Sequence, residues 1–156
     1  MTQKQFIKVN LNNPIHCMQV LKLLNDYMED EMGISKSMPE QLGQKIIAGL
    51  KQHPAYLGFF VCVGDEFTAL ANCNLNYSTW TAKFLINIHD FIVSPKFRKQ
   101  GIGEFLLTGI EKYAKEKGYC KLNLEVRNDN LKAQNLYKKM RFDDCEPPML
   151  FWQKVL

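Results

Sequence analysis

Arg98-Lys99-Gln100-Gly101-Ile102-Gly103 places two cations immediately before two closely spaced glycines, a combination suited to holding a phosphate group. The stretch lies between an apolar run, Phe84 to Val93, and an amphipathic segment, Gly101 to Lys117. That order reads as strand, tight turn and helix N-terminus. The first N–H groups of a helix have no intrahelical partner, and with the positive end of the helix dipole they attract an anion. Arg98 and Lys99 add full charges, while Gly101 and Gly103, lacking a Cβ, let a bulky phosphate approach the main chain. Other phosphate loops do not fit. A P-loop needs Gly-Lys followed by a hydroxyl residue, which does not occur, and a dinucleotide fingerprint needs Gly or Ala where Leu106 stands. A glycine-containing loop that merely caps a helix would use the same letters.

A second block, "RNDNLKAQNLYKKMRF", carries Asn130, Ala133 and Leu136-Tyr137. Asn130 and Tyr137 are close to two helical turns apart, so their side chains share one face. Together with R-x-x-G-x-G after a strand, this order resembles the two signatures of the GCN5-related N-acetyltransferases. The resemblance implies that Arg98, Lys99, Gln100, Gly101, Ile102 and Gly103 hold the diphosphate of acetyl-CoA. It further implies that Asn130 contacts the cofactor, that the main chain of Phe91, Ile92 and Val93 runs beside the pantetheine arm, and that Tyr137 is the general acid near the thioester sulfur. A core aromatic on an amphipathic helix is the other reading of Tyr137.

The segment "YSTWTAKFLINIHDFIV" narrows the group, because it resembles diamine (spermidine/spermine) acetyltransferase-like members, whose corresponding strand carries an acidic pair. Here the pair is His89-Asp90, one carboxylate and one imidazole, which does not suit a polycation. Alternation along a strand puts the two on opposite faces, so at most one points at the acceptor; Asp90 is the expected amine-orienting residue and His89 the alternative to it, either one accepting the proton directly or through water. Arg141 stands where the family usually has glycine after the helix, which predicts a helix end of different form. The resemblance is strong from Tyr77 onward; before it, only the element order matches.

A chain of 156 residues is one domain by length and buries roughly 70% of its unfolded surface. Residues 1–156 are therefore expected to form a single N-acetyltransferase domain. With 46% hydrophobic and 23% charged residues the composition is globular, and a net charge of +4 suits an anionic cofactor while falling short of a nucleic-acid binder. The five cysteines are odd in number and never in C-x-x-C order, which points to a reducing compartment and no metal. The polar N-terminus does not read as a signal peptide, and no apolar run reaches the ~18 residues of a membrane span. A cytoplasmic protein with no membrane or nucleic-acid partner is expected, and the resemblance adds a homodimer.

These residues need a scaffold. Phe6 to Val9 reads as a strand, and Asn13-Pro14 as the start of a helix whose apolar face is Ile15, Met18, Leu21 with Val20, Leu24 and Met28. Ser37-Met38-Pro39-Glu40 reads as a capping box opening a second helix, and the acidic Glu29-Asp30-Glu31 between them as a solvated face or a lure for a cationic acceptor. Tyr56 to Val63, a Gly64-Asp65 turn and Phe67 to Asn76 form a hairpin, continued by Phe84 to Val93. Gly118 ends the third helix, Lys121 to Val126 follows as a parallel strand, Leu131 to Lys139 as the fourth helix and Met149 to Lys154 as a last strand. The fold class is α/β, a mixed, mostly antiparallel central sheet of six to seven strands flanked by about four helices.

Acetyl transfer to an amine then needs no covalent enzyme intermediate. A primary amine of a small molecule is the expected acceptor. The alternatives are a non-catalytic acyl-CoA-binding or regulatory module, which would not need the Tyr137 hydroxyl, and a protein or peptide N-acetyltransferase, which would need an open groove.

Overall fold

The computed structural model describes residues 3–156. It divides into two compact units, one ending at Glu125 and one from Val126 to Leu156. The larger unit runs β1 (Lys4–Lys8), α1 (Pro14–Glu29), α2 (Glu40–Gln52), β2 (Tyr56–Val63), β3 (Glu66–Ser78), β4 (Lys83–Val93), a 3-10 turn at Pro95–Phe97, α3 (Ile102–Glu116) and β5 (Leu122–Leu124); the smaller holds α4 (Leu131–Lys139).

The sheet has five strands in sequence order. The first four pair antiparallel, and β5 lies parallel to β4 after the α3 crossover, the connection a parallel pair requires. The expected count of six to seven strands is therefore corrected to five. The missing element is the strand expected over Met149 to Lys154: residues 143–156 form neither helix nor strand, and Met149, Leu150, Phe151 and Trp152 are exposed. A strand exists through its ladder partners, which an apolar run does not specify.

One face of the sheet meets α1 and α2. There Phe60, Leu70 and Ile92 from three strands pack with Val20, Leu23 and Leu24 of α1, each fully buried aliphatic or aromatic side chain contributing about 1.5–3 kcal/mol. The opposite face meets α3, where Phe59 stacks on Phe6 and meets Tyr113 edge-on, and Ile102, Leu106, Leu107 and Ile110 are buried.

Asn13 caps α1 through Ile15 N–H, with Pro14 at the first helical position. The buried stripe of α1 is rotated from the expected one: Leu23 is inside, whereas Ile15 and Met18 are more than half exposed. The capping box is also corrected. Pro39 is the N-cap of α2 without a side-chain bond, and the Ser37 hydroxyl donates instead to Glu29 Oε1 at 2.5 Å.

Candidate active site

Between β4 and α3 the chain makes the turn that the glycine spacing requires. Gly101 is the N-cap of α3 with φ of 71°, and no side chain caps that helix. Lys99, two residues earlier, also has a positive φ of 60°, a conformation that costs a non-glycine residue free energy. The uncapped helix start is the chemistry an anionic group requires, so these residues fit the diphosphate of acetyl-CoA. Gln100 is spent on the turn itself: its Nε2 donates to Lys96 O at 3.1 Å.

Two cations attend this turn in ways the local sequence does not show. Lys4, on the edge strand β1, donates its ammonium to Gln100 O at 3.0 Å, and it is the group that a Cβ on Gly101 would meet, at 3.4 Å. No motif marks this lysine; chain topology alone carries it to the loop. Arg98 is fastened on two sides, Nε donating to Val93 O at 3.0 Å and NH2 pairing with Asp30 Oδ2 at 2.8 Å. Its guanidinium thus ties the end of α1 to the turn.

That pairing changes the reading of the acidic run. Asp30 neutralises Arg98 and also accepts from Met32 N–H. Glu29 is held below the usual carboxylate range by hydrogen bonds from Ser37 and then Asn25. Two of the three acids serve the α1 C-terminus and its neighbours.

In β4 the two titratable candidates are separated by an irregularity. Asp90 pairs with Asn72, but the next β3 residue, Cys73, pairs with Ile88, so His89 is the extra residue of a β-bulge. Simple alternation therefore does not hold across His89 and Asp90. His89 is exposed, and Asp90 is half-buried with Oδ2 accepting from Asn72 Nδ2 at 3.0 Å. Asn72 is 5% exposed, and its Oδ1 accepts from the Tyr56 hydroxyl at 2.9 Å. Burial, with the charges of Cys73, Asp90 and Cys17, pushes the Tyr56 phenol well above its ordinary value and keeps it a donor. Gly58 makes this geometry possible: it pairs with Asn72, and a Cβ there would collide with the Tyr56 hydroxyl and the Val9 side chain. Neither Tyr56 nor Asn72 was legible as a site residue; the only signal was an asparagine and a glycine inside strands, where both are disfavoured.

The β4–β5 ladder runs from Ile86–Leu122 to Ile88–Leu124 and stops there. Phe91, Ile92 and Val93 pair with β3 alone among the strands, and their main chain lies past the last β5 pair.

In the smaller unit, Asn130 is the N-cap of α4, its Oδ1 accepting from Ala133 N–H at 3.1 Å. The cap employs one half of that amide. Tyr137 is 8% exposed, with its ring 5.8 Å from that of Phe142. Arg141 takes the left-handed position at φ of 63°, and Phe142 N–H to Tyr137 O and Arg141 N–H to Lys138 O complete a Schellman motif. Contrary to the expectation from the missing glycine, the helix ends in the ordinary way, with an arginine bearing the left-handed strain.

The sequence model of the Acetyltransferase (GNAT) family matches residues 19–142. Streptothricin acetyltransferase of Streptomyces lavendulae is 32% identical over 110 residues, which cover 70% of this chain and 57% of that protein. Thialysine N-epsilon-acetyltransferase of Caenorhabditis elegans is 27% identical over 124 residues, 80% of this chain and 75% of that one. The chain thus spans little more than half of the first of these curated relatives. Among solved structures, a probable acetyltransferase superposes with a TM-score of 0.84 at 15% identity, covering 97% of this chain and 98% of that one. An aminoglycoside acetyltransferase from an uncultured soil metagenomic sample superposes at 0.79 with 17% identity, covering 98% and 97%. At such identities it is the fold that is shared.

Proposed function

This chain belongs to the Acetyltransferase (GNAT) family, and from that premise we propose that it is a single-domain, acetyl-CoA-dependent N-acetyltransferase whose acceptor is a primary amine of a small molecule. The observation that carries the reading is the uncapped, left-handed Gly101 opening α3, with Lys4 and Lys99 beside it and Arg98 bracing the turn. Acetyl-CoA, when bound, supplies an acyl thioester open to direct attack by an amine.

In this reading the chain's own residues divide the work. The α3 turn binds the diphosphate, Asn130 adds a polar contact, and the main chain of Phe91, Ile92 and Val93 would hold the pantetheine arm. An alkyl amine with pKa near ~10 is neutral in only about one molecule in a thousand at pH 7, so the enzyme must collect an ammonium and remove its proton. Asp90, fixed by Asn72, orients the amine; His89, exposed on the bulge, passes the proton to water. Tyr137 holds a proton at its hydroxyl for the departing sulfur.

The relatives named for streptothricin and thialysine acetylation support a small amine as acceptor. All five cysteines are free thiols, which supports a reducing, cytoplasmic setting. Among the described residues no helix is long and apolar enough to cross a membrane. A homodimer completes the reading, on family resemblance. Thiol release from acetyl-CoA across a panel of diamines, amino acids, amino sugars and peptides tests it: release with a small primary amine is expected, and release with peptides only, or with none, contradicts it.

A further inference from the structure

Beside the Asp90–Asn72 pair, the same face of the sheet is paved with carboxamides. Asn74, Asn87 and Asn123 are register partners across β3, β4 and β5, so they form one row perpendicular to the strands, spaced by about 4.8 Å. Asn72 and Asn74 are two residues apart on β3, which sets this row roughly 7 Å along the strand from the Asp90 row. Asparagine is among the residues strands disfavour, on a scale spanning about 1 kcal/mol, so three in one row run against local preference. Conflicts of this kind between local preference and fold gather at functional sites.

The row is ordered and accessible. His53 Nε2 lies 2.9 Å from Asn74 Oδ1, and since a carbonyl oxygen only accepts, the imidazole donates. Asn87 Nδ2 donates to Asn123 Oδ1 at 3.1 Å. Asn74 and Asn87 are half-buried and Asn123 is exposed. Those two bonds use one half of each amide. The other halves are an amino group on Asn74, a carbonyl on Asn87 and an amino group on Asn123, an alternation of donor, acceptor and donor. Hydroxyl and amide groups, which both donate and accept, match it; a second ammonium, which only donates, matches one position of three.

We infer that this asparagine row is the acceptor-recognition surface, and that the acceptor is an amine whose body carries neutral hydroxyl or amide groups, with its amino end at Asp90. The inference rests on the N-acetyltransferase reading above and adds the chemical class of the substrate. Polar recognition of this kind discriminates strongly, because an acceptor lacking the groups leaves the amides without partners they would otherwise gain.

The test is thiol release from acetyl-CoA with three probes, an amino sugar, n-hexylamine and spermidine, using wild type, Asn87→Ala, Asn123→Ala and the strand-favouring Asn87→Thr. Wild type should prefer the amino sugar by at least about 10-fold in kcat/KM, and each variant should lose about 3- to 10-fold more on the amino sugar than on n-hexylamine, the scale of one neutral hydrogen bond. A preference for n-hexylamine or spermidine, or equal losses on both probes, overturns the inference while leaving an active acetyltransferase. No release with any of the three but release with an amino acid or a simple diamine overturns the inference alone, whereas no release across that wider panel removes the underlying reading, and the inference with it.

Discussion

The Tyr56 hydroxyl donates to Asn72 Oδ1 at 2.9 Å, and this bond, together with the acceptor-only Asp90 carboxylate on the other side, fixes which way the Asn72 amide faces. With the oxygen turned to Tyr56, the amino group is aimed at Asp90. The Asp90 carboxylate is thereby positioned from two strands away, through a space that only a glycine at position 58 leaves open.

Tyr56→Phe keeps the ring and removes the donor. The Asn72 oxygen then loses its donor and the amide is held from the Asp90 end alone, so Asp90 is positioned less firmly and the amine kcat/KM should fall about 5- to 10-fold, near the ~1 kcal/mol of one hydrogen bond. The KM for acetyl-CoA should not change, since the chain of contacts ends at the acceptor side. Steady-state kinetics with each substrate varied in turn separates the two; a rise confined to the acetyl-CoA KM would place Tyr56 elsewhere in the mechanism.

Tyr56 also sets a pH dependence. Its folded pKa is raised, chiefly by burial, while the unfolded phenol titrates near ~10. Below pH ~10 both states hold the proton and the contribution to stability is fully present; above it the unfolded state loses the proton first, so stability falls as pH climbs toward the folded value. Wild type should therefore lose stability between pH 10 and 11.5 more steeply than Tyr56→Phe. Parallel urea midpoints in the two proteins would show the partner tyrosine to be irrelevant.

Asp30 lies far from the phosphate loop in sequence yet grips Arg98 at 2.8 Å. With the arginine partly exposed, the pair itself is worth under about 1 kcal/mol to stability, so its removal should be felt in binding and little in melting temperature. Asp30→Asn should raise the acetyl-CoA KM about 3-fold, and Arg98→Glu by 10-fold or more, because the new carboxylate repels both Asp30 and the diphosphate. An unchanged KM in Arg98→Glu would show that the turn does not hold the diphosphate.

Arg141 occupies a left-handed position at the end of α4. Glycine there relieves roughly 1–2 kcal/mol of strain, against a smaller cost of about 0.4–1 kcal/mol for the freedom it gives the unfolded chain. Arg141→Gly should raise stability by about 0.5–1 kcal/mol, read as a shift in urea midpoint at constant slope. A loss would mean that the arginine side chain makes contacts worth more than the strain.

The parts of the fold that were legible in advance are those written in local chemistry. β2 and α4 begin and end where their patterns do, Asn13-Pro14 starts α1, and Gly118 with a φ of 70° ends α3. What could not be read depends on partners distant in the chain. The bulge at His89 is a matter of register with β3, Lys4 reaches Gln100 only because β1 docks at the sheet edge, and Ser37 was taken from its helix by Glu29. The α1 stripe was misplaced because its apolar residues surround more than one face, and packing alone chose Leu23 over Ile15. For the site, the phosphate turn and the Asn130–Tyr137 helix were visible as motifs; the Tyr56–Asn72–Asp90 chain, made of three strands, was not.

The diphosphate site is tested most directly by calorimetric titration of the protein with coenzyme A and with pantetheine, which lacks the nucleotide and its diphosphate, repeated in Gly101→Val. Wild type should bind coenzyme A at least about 100-fold more tightly than pantetheine, a difference of ~2.7 kcal/mol, and Gly101→Val, strained at its φ of 71°, should lose most of that margin while its pantetheine affinity holds. Equal affinity for the two ligands, or a coenzyme A affinity untouched by the substitution, would contradict a diphosphate site at this turn.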